Sequence, residues 1–180
     1  MTFLVDYNLD GYALIFLGIL AKRGWLEFQS VQFVTFREVG VSMESSDRVV
    51  WRYAQEQEMM ILTANRNMKG DDSLEQVMRE ENTENSFPVL TIGNLDRLSE
   101  AEYRERCAER LIEIAVDIDN YKGVGRLFIS NRGVVLMDLQ RYPEALKSFD
   151  HAIELDAQNA EAWSNRGLVL QTLRQFDLAL

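Results

Sequence analysis

The sequence predicts an α/β domain with a mostly parallel sheet over about residues 1–125, followed by an all-α segment of helical hairpins over 126–180. Apolar strand-like runs alternate with helical patterns through the first part, which is typical of α/β layers. The second part repeats itself with a period of 34 residues, which is typical of stacked helical units. Charge supports the division, because residues 1–125 carry 22 acidic and 13 basic residues whereas 126–180 carry 7 and 6. We therefore expect a domain boundary near Gly123–Gly125.

Four strands are predicted in the first part. Each is a short apolar run rich in β-branched and aromatic residues, or is bounded by turn-forming residues. The runs cover residues 1–5, 31–36, 59–63 and 88–92. Residues 126–129 fit either a last strand or the start of the first repeat helix, and the sequence leaves that choice open.

Four helices are predicted between and after these strands from apolar spacings of three and four and from residues that favour helix ends. They cover about residues 9–23, 47–57, 72–81 and 99–119. Ser73 with Gln76, and Ser99 with Glu102, have the spacing of a capping box. Gly24 is the residue type that favours the end of the first helix.

Composition excludes several classes of protein. Acids outnumber bases 29 to 19, for a net charge of -10, which argues against a general nucleic-acid coat protein or a binder of anionic membranes. The single cysteine, Cys107, rules out a disulfide within the chain, and the single histidine, His151, rules out a His-rich zinc site. The apolar run 12–21 is about half the length that spans a bilayer, and acids rather than bases precede it. We expect a cytoplasmic protein that does not contact membranes.

The second part contains an internal repeat. Residues 130–146 and 164–180 are identical at nine of seventeen aligned positions, and each copy has the pattern of two helices. Pro143 fits the first turn of the second helix. A glycine inside a helix costs roughly 1 kcal/mol relative to alanine. Gly133 and Gly167 are therefore predicted to lie where two helices approach closely.

These residues resemble the tetratricopeptide repeat (TPR). The resemblance covers about 126–180, as one full and one truncated repeat, and it departs from the usual pattern at Ile129 and Ala157. It implies a helical scaffold that binds a protein partner in a groove, here as the start of a longer array. The alternative is that the repeats only cap the first domain. The matching positions are Gly133, Ala145, Phe149 and Ala152 in the first unit, and Trp163, Gly167, Leu170 and Ala179 in the second.

Polar residues follow the predicted strands of the first part. They lie at 6–8, 63–67 and 91–94, and two further acids, Asp71 and Asp72, come shortly after the third strand. The carboxyl ends of parallel strands meet at one edge of a sheet, where ligands bind. We therefore expect a site at this edge.

The order of these elements resembles the short, toxin-type form of the PIN-like nuclease domain. The resemblance covers about residues 3–120 and rests on VDYNL at 5–9 and SSDRVVWRYAQEQEMMILTANRN at 45–67. It implies a three-layer fold in which acids hold Mg²⁺ or Mn²⁺ and RNA is cut. Carboxylates suit these hard ions, and the bound metal activates water.

The resemblance implies a role for each matching position. Asp6 and Asp47 match the first two acids of the family and are catalytic and metal-binding candidates. Asn65 is the third catalytic candidate, although it and Asn67 stand where the family has aspartates. Asp71 or Asp72 would then supply a further metal ligand. The candidates for contact with RNA are Asn8, Thr63, Arg66 and Asn67.

Each of these residues also has a structural interpretation. Asp6 and Asn8 fit a strand end or a helix cap, Asp47 fits a helix N-cap, and Thr63 and Asn65 fit a turn. Arg66 pairs with an acid or contacts phosphate, and the acids at 71–72 fit a solvated helix start.

Three functions remain open from the sequence. In the first, the two asparagines leave a degenerate metal site, and the protein is a binding module that works through its TPR repeats. In the second, it is a metal-dependent endoribonuclease acting on single-stranded RNA through Asp6, Asp47 and one of the acids at 71–72. In the third, it is a toxin controlled by a separately encoded antitoxin.

Overall fold

A computed structural model gives the structure of the chain and describes residues 1–64, 72–129, 133, 136–137, 140–155 and 160–177. The chain forms two compact units, Met1–Ser130 and Asn131–Leu180. The division falls a few residues after the boundary expected at 123–125, because one more strand of the sheet follows those glycines. None of the helices in the described ranges is both long enough and apolar enough to span a bilayer.

The first unit is built on a five-stranded, entirely parallel sheet. Its strands are β1 (Thr2–Val5), β2 (Gln32–Thr35), β3 (Met59–Thr63), β4 (Val89–Thr91) and β5 (Arg126–Phe128), in the order β2-β1-β3-β4-β5. The four predicted strands and their parallel arrangement are confirmed, and residues 126–128 form a strand. The chain first builds the sheet to one side of β1 and then crosses to β3 on its other side. The gap between the ends of β1 and β3 is therefore the topological switch point.

Four helices cover the sheet, as predicted. They are α1 (Asp10–Lys22), α2 (Asp47–Glu56), α3 (Leu74–Glu81) and α4 (Ala101–Val116). Successive strand residues point to opposite faces. Leu4 and Ile61 pack under α2 and α3 on one face, in a core that includes Trp51 and Val77. On the other face the Phe3 ring stacks on Phe33 at 5.0 Å, and Phe16 of α1 lies 6.3 Å from Phe33. Helix α4 packs beside α1.

The two predicted capping boxes have different outcomes. Ser73 is the N-cap of α3, and its hydroxyl accepts a hydrogen bond from the Gln76 backbone at 3.4 Å. The prediction for Ser99 is wrong, because Ser99 ends a short 3-10 turn and donates its hydroxyl to the Asp96 carbonyl at 2.8 Å. The N-cap of α4 is Glu100.

The second unit contains the helices α5 (Tyr142–Leu155) and α6 (Ala160–Asp177). Pro143 lies in the first turn of α5, as predicted. Among its described residues, the buried core contains Leu136, Ala145, Phe149, Ala162 and Val169.

The two repeat glycines differ in their surroundings. A Cβ on Gly133 would lie 2.5 Å from Cζ and 2.8 Å from Cδ1 of Phe149, so the close approach predicted there is confirmed. The same prediction is wrong for Gly167, which is exposed and whose Cβ would meet no described atom within 4 Å.

Candidate functional site

A pocket of about 260 Å³ opens at the carboxyl ends of β1 and β3, where the sheet topology places a ligand site. Its polar lining residues come from the end of β1, the start of α2 and the end of β3. They are Asp6, Asn8, Ser45, Asp47 and Thr63. The apolar part of the lining is formed by Tyr7, Phe36, Met43, Val50, Ile61 and Leu74. The structure thus brings together four of the residues that the sequence singled out: Asp6, Asn8, Asp47 and Thr63.

Asp6 and Thr63 form the buried floor of this pocket. The backbone N–H of Asp6 donates to the Leu62 carbonyl at 2.9 Å, which extends the pairing of β1 and β3 by one residue. This pairing sets the two side chains next to each other, and the Thr63 hydroxyl donates to Oδ2 of Asp6 at 2.7 Å. A hydrogen bond to a charged acceptor stabilises by about 1.5–3 kcal/mol. Asp6 is therefore held in one orientation, with one oxygen already occupied.

Asp47 connects two helices at the rim of the pocket. It is the first residue of α2, whose N-cap is Ser46. Its Oδ2 accepts a hydrogen bond at 2.9 Å from the backbone N–H of Leu74, the first residue of α3. The N–H groups of a helix's first turn lack partners within the helix, so a carboxylate there satisfies one of them. Asp47 thus caps α3 rather than its own helix.

A cluster of ion pairs joins α2 to α3 beside the pocket. Arg48 binds Asp72 at 2.9 Å, Glu80 at 2.8 Å and also Glu81. Arg52 donates two hydrogen bonds of 2.7 Å to the Glu81 carboxylate. The hydrogen bonds from Arg52, and then those from Arg48, lower the pKa of Glu81 to about 2.

The position of Asp72 corrects one prediction. Its side chain is 61% exposed, binds Arg48 and does not line the pocket, so it does not join Asp6 and Asp47 as a metal ligand. No group of three or more acidic, histidine or cysteine side chains that could hold a metal ion occurs in the described part of the chain. The physical reason is the arginine on α2, which holds the acid at the α3 N-terminus outside the pocket.

Four predicted site residues fall outside the described residues. They are Asn65, Arg66, Asn67 and Asp71. Their roles remain predictions from the sequence.

Arg126 is a charged residue near the site that the sequence did not single out. Its side chain is 6% exposed, its Nη1 donates to the Thr91 hydroxyl at 3.2 Å, and its Nε lies 3.7 Å from Glu75. Burial lowers the pKa of the guanidinium, while the charges of Glu75 and Asp47 act in the opposite direction. A positive charge inside the unit thus acts on Asp47. The only sequence signal for a role of Arg126 was its position at the start of a short run that fits a strand.

A second hollow, of about 340 Å³, lies at the ends of β3 and β4. It is lined by Ala64, Ile92, Gly93, Asn94, Leu95 and Asp96. The polar residues that follow β4 therefore line a hollow that shares no residue with the pocket at β1 and β3, although the sequence predicted a single site.

The second unit contains the helices α5 and α6, and the backbone of Gly133 lies close to the Phe149 ring of α5. Residues 133–173 match the family model described as TPR repeat. No curated protein and no solved structure matches the chain. TPR repeats generally mediate protein interactions, so this segment indicates a role in protein–protein interaction.

Proposed function

We propose that the protein is a binding module in which a PIN-like, nuclease-related domain with a degenerate metal site is coupled to TPR repeats that recruit a protein partner. One observation carries this proposal. The pocket at the switch point has two acidic side chains among its described lining residues, and the sequence has Asn65 and Asn67 where the resembling family has further acids.

The chemistry of divalent cations supports a weak site. Two carboxylates are within the number that usually holds Mg²⁺ together with phosphates and water, so the weakness proposed here comes from the acids that the family has and this chain lacks. The asparagines at 65 and 67 add no charge where the resembling family has aspartates.

The same electrostatics disfavour RNA as the main partner. Affinity for RNA depends strongly on Lys and Arg contacts to phosphate, and the chain carries a net charge of -10. Without a bound cation, the carboxylates of Asp6 and Asp47 repel a phosphodiester. A protein partner bound by the TPR repeats does not meet this barrier.

The test restores the missing charges. In the wild-type chain we expect weak Mn²⁺ binding by calorimetry and no cleavage of single-stranded RNA. Asn65→Asp combined with Asn67→Asp should strengthen Mn²⁺ binding by roughly tenfold or more, because two negative charges are added where the resembling family has its aspartates. Asn85→Asp, which adds an exposed carboxylate away from the pocket lining, is the control and should change nothing. Capture of a protein partner that is lost on deleting residues 131–180 would support the TPR part.

An active Mg²⁺- or Mn²⁺-dependent endoribonuclease is the second candidate, because Asp6 and Asp47 do meet in one pocket at the strand ends. In that case these two acids and Asp71 would hold the ion, Arg66 would contact phosphate, and the bound ion would supply an activated water. Metal-dependent RNA cleavage by the wild-type chain that disappears in Asp6→Asn would establish this candidate and reject the first. Growth arrest on expression, relieved by a neighbouring gene product, would indicate the toxin form.

A further inference from the structure

Helix α1 is apolar on the side that faces solvent as well as on the side that faces the sheet. Its inner residues Ala13, Phe16 and Leu20 are buried. On its outer side Leu14 is 77% exposed and Ile15 is 41% exposed. Between Asp10 and Lys22 the helix contains no charged residue. A surface helix normally carries polar residues on its outer side, and a helix that is apolar all round is normally covered.

The outer side also contains glycines that the unit itself does not require. Gly11 and Gly18 share the exposed side with Leu14, since the spacings of three and four place them on one face. A Cβ on either glycine would meet no described atom within 4 Å. A glycine in the middle of a helix makes the helix less stable than an alanine would. At Gly133 the Phe149 ring leaves no room for a Cβ, which accounts for the glycine. At Gly18 no atom in the described part of the chain is close enough to require one.

We propose that this face of α1 is the interface of a homodimer, in which α1 packs antiparallel against α1 of a second copy. A two-fold axis beside the middle of the helix sets Leu14 of each copy opposite Gly18 of the other, so the exposed leucine enters the space left by the missing Cβ. The same register sets Gly11 opposite Ala21, which allows the helices to approach closely.

Charge complementarity identifies a second copy as the occupant. Asp10 and Lys22 are exposed at opposite ends of α1, and the antiparallel register sets each opposite the other in the partner copy. A parallel arrangement would set like charges together, and the helix dipoles favour the antiparallel one. Arg23 does not compete, because it binds Glu105 at 2.7 Å and Glu109 at 2.5 Å on α4.

The expected dimer is weak and depends on concentration. A helix of 13 residues is about 20 Å long, which is a small contact for a stable dimer. Phe28, which is 82% exposed and follows the C-terminus of α1, adds apolar surface next to it. We expect a dissociation constant in roughly the micromolar range.

Sedimentation velocity of the full chain over a range of concentrations tests the interface. The wild type should change from monomer to dimer as the concentration rises. Leu14→Glu should abolish the dimer, whereas Val49→Glu, which also replaces an exposed aliphatic side chain by glutamate but on α2, should leave it intact. Gly18→Leu should also abolish the dimer without lowering the melting temperature, because the monomer has room for the side chain.

A charge swap between two chains tests the register. Asp10→Lys alone and Lys22→Asp alone should each weaken self-association by roughly tenfold, since both symmetric contacts become repulsive. An equimolar mixture of the two variants should recover the wild-type affinity, because every contact then joins opposite charges. The proposal is overturned if the wild type stays monomeric, if Leu14→Glu still dimerises, or if the mixture fails to recover. The proposal is also overturned if the wild-type chain binds lipid vesicles as a monomer and Leu14→Glu abolishes that binding.

Discussion

The two repeat glycines predict opposite effects of the same substitution. At Gly133 an added methyl group would overlap three atoms of the Phe149 ring, including Cζ at 2.5 Å. Overpacking of this kind costs about 1–3 kcal/mol, and the overlap of several ring atoms places it at the upper end. Alanine recovers roughly 1 kcal/mol of helix propensity. Gly133→Ala should therefore destabilise the second unit by about 2 kcal/mol, whereas Gly167→Ala should stabilise it by about 1 kcal/mol.

Hydrogen exchange of the full chain, followed by mass spectrometry on peptides from α5, measures both effects as changes in protection. Phe149→Leu provides the internal check, because it shortens the side chain that the new methyl group would strike. In that background the penalty of Gly133→Ala should disappear, as expected for two residues in contact. If Gly133→Ala raises protection as Gly167→Ala does, the close packing deduced for Gly133 is refuted.

Three further predictions concern the first unit. Asp47→Ala should lower the free energy of unfolding, measured in urea, by about 1 kcal/mol, because the N–H of Leu74 loses its acceptor. Asp47→Asn should lower it less, and equal losses would contradict the capping role. The pKa of Glu81 is about 2 in the folded chain against 4.5, so its ion pairs stabilise the fold above about pH 4.5 and are lost as the pH falls towards 2. Glu81→Gln should therefore reduce the loss of stability over that interval in urea titrations at a series of pH values, and an unchanged profile would count against it. Burial raises the pKa of the Cys107 thiol to about 12, so a thiol reagent at mildly alkaline pH should label Cys107 only after denaturation.

Local signals in the sequence were sufficient for most elements of the first unit. Strands β1 and β3 are apolar runs with clear boundaries, and Ser73 caps α3 through a contact three residues away. The same spacing failed at Ser99, because a 3-10 turn precedes α4 and binds the hydroxyl first. The sequence left residues 126–129 open between a strand and a helix start, and only the pairing of β5 with β4 decides for the strand.

The candidate site was predictable only in part for a related reason. The strand-end rule is sufficient to bring Asp6 near Thr63, because their strands are neighbours. The hydrogen bond from Leu74 to Asp47 depends on how α2 packs against α3. The approach of Arg126 depends on the order of the sheet, which sets β5 beside β4. These contacts join residues distant in sequence, and their geometry follows from the folded packing alone.

The central place of β1 in the sheet affects how the chain folds during synthesis. Thr2 pairs with Gln32 on one side and with Met59 on the other, so β1 leaves the ribosome well before either partner. Until then both edges of an apolar strand are open to other chains, which is a risk for aggregation. Both pairings of β1 thus depend on strands that are translated after it, and the second forms only once β3 has been made.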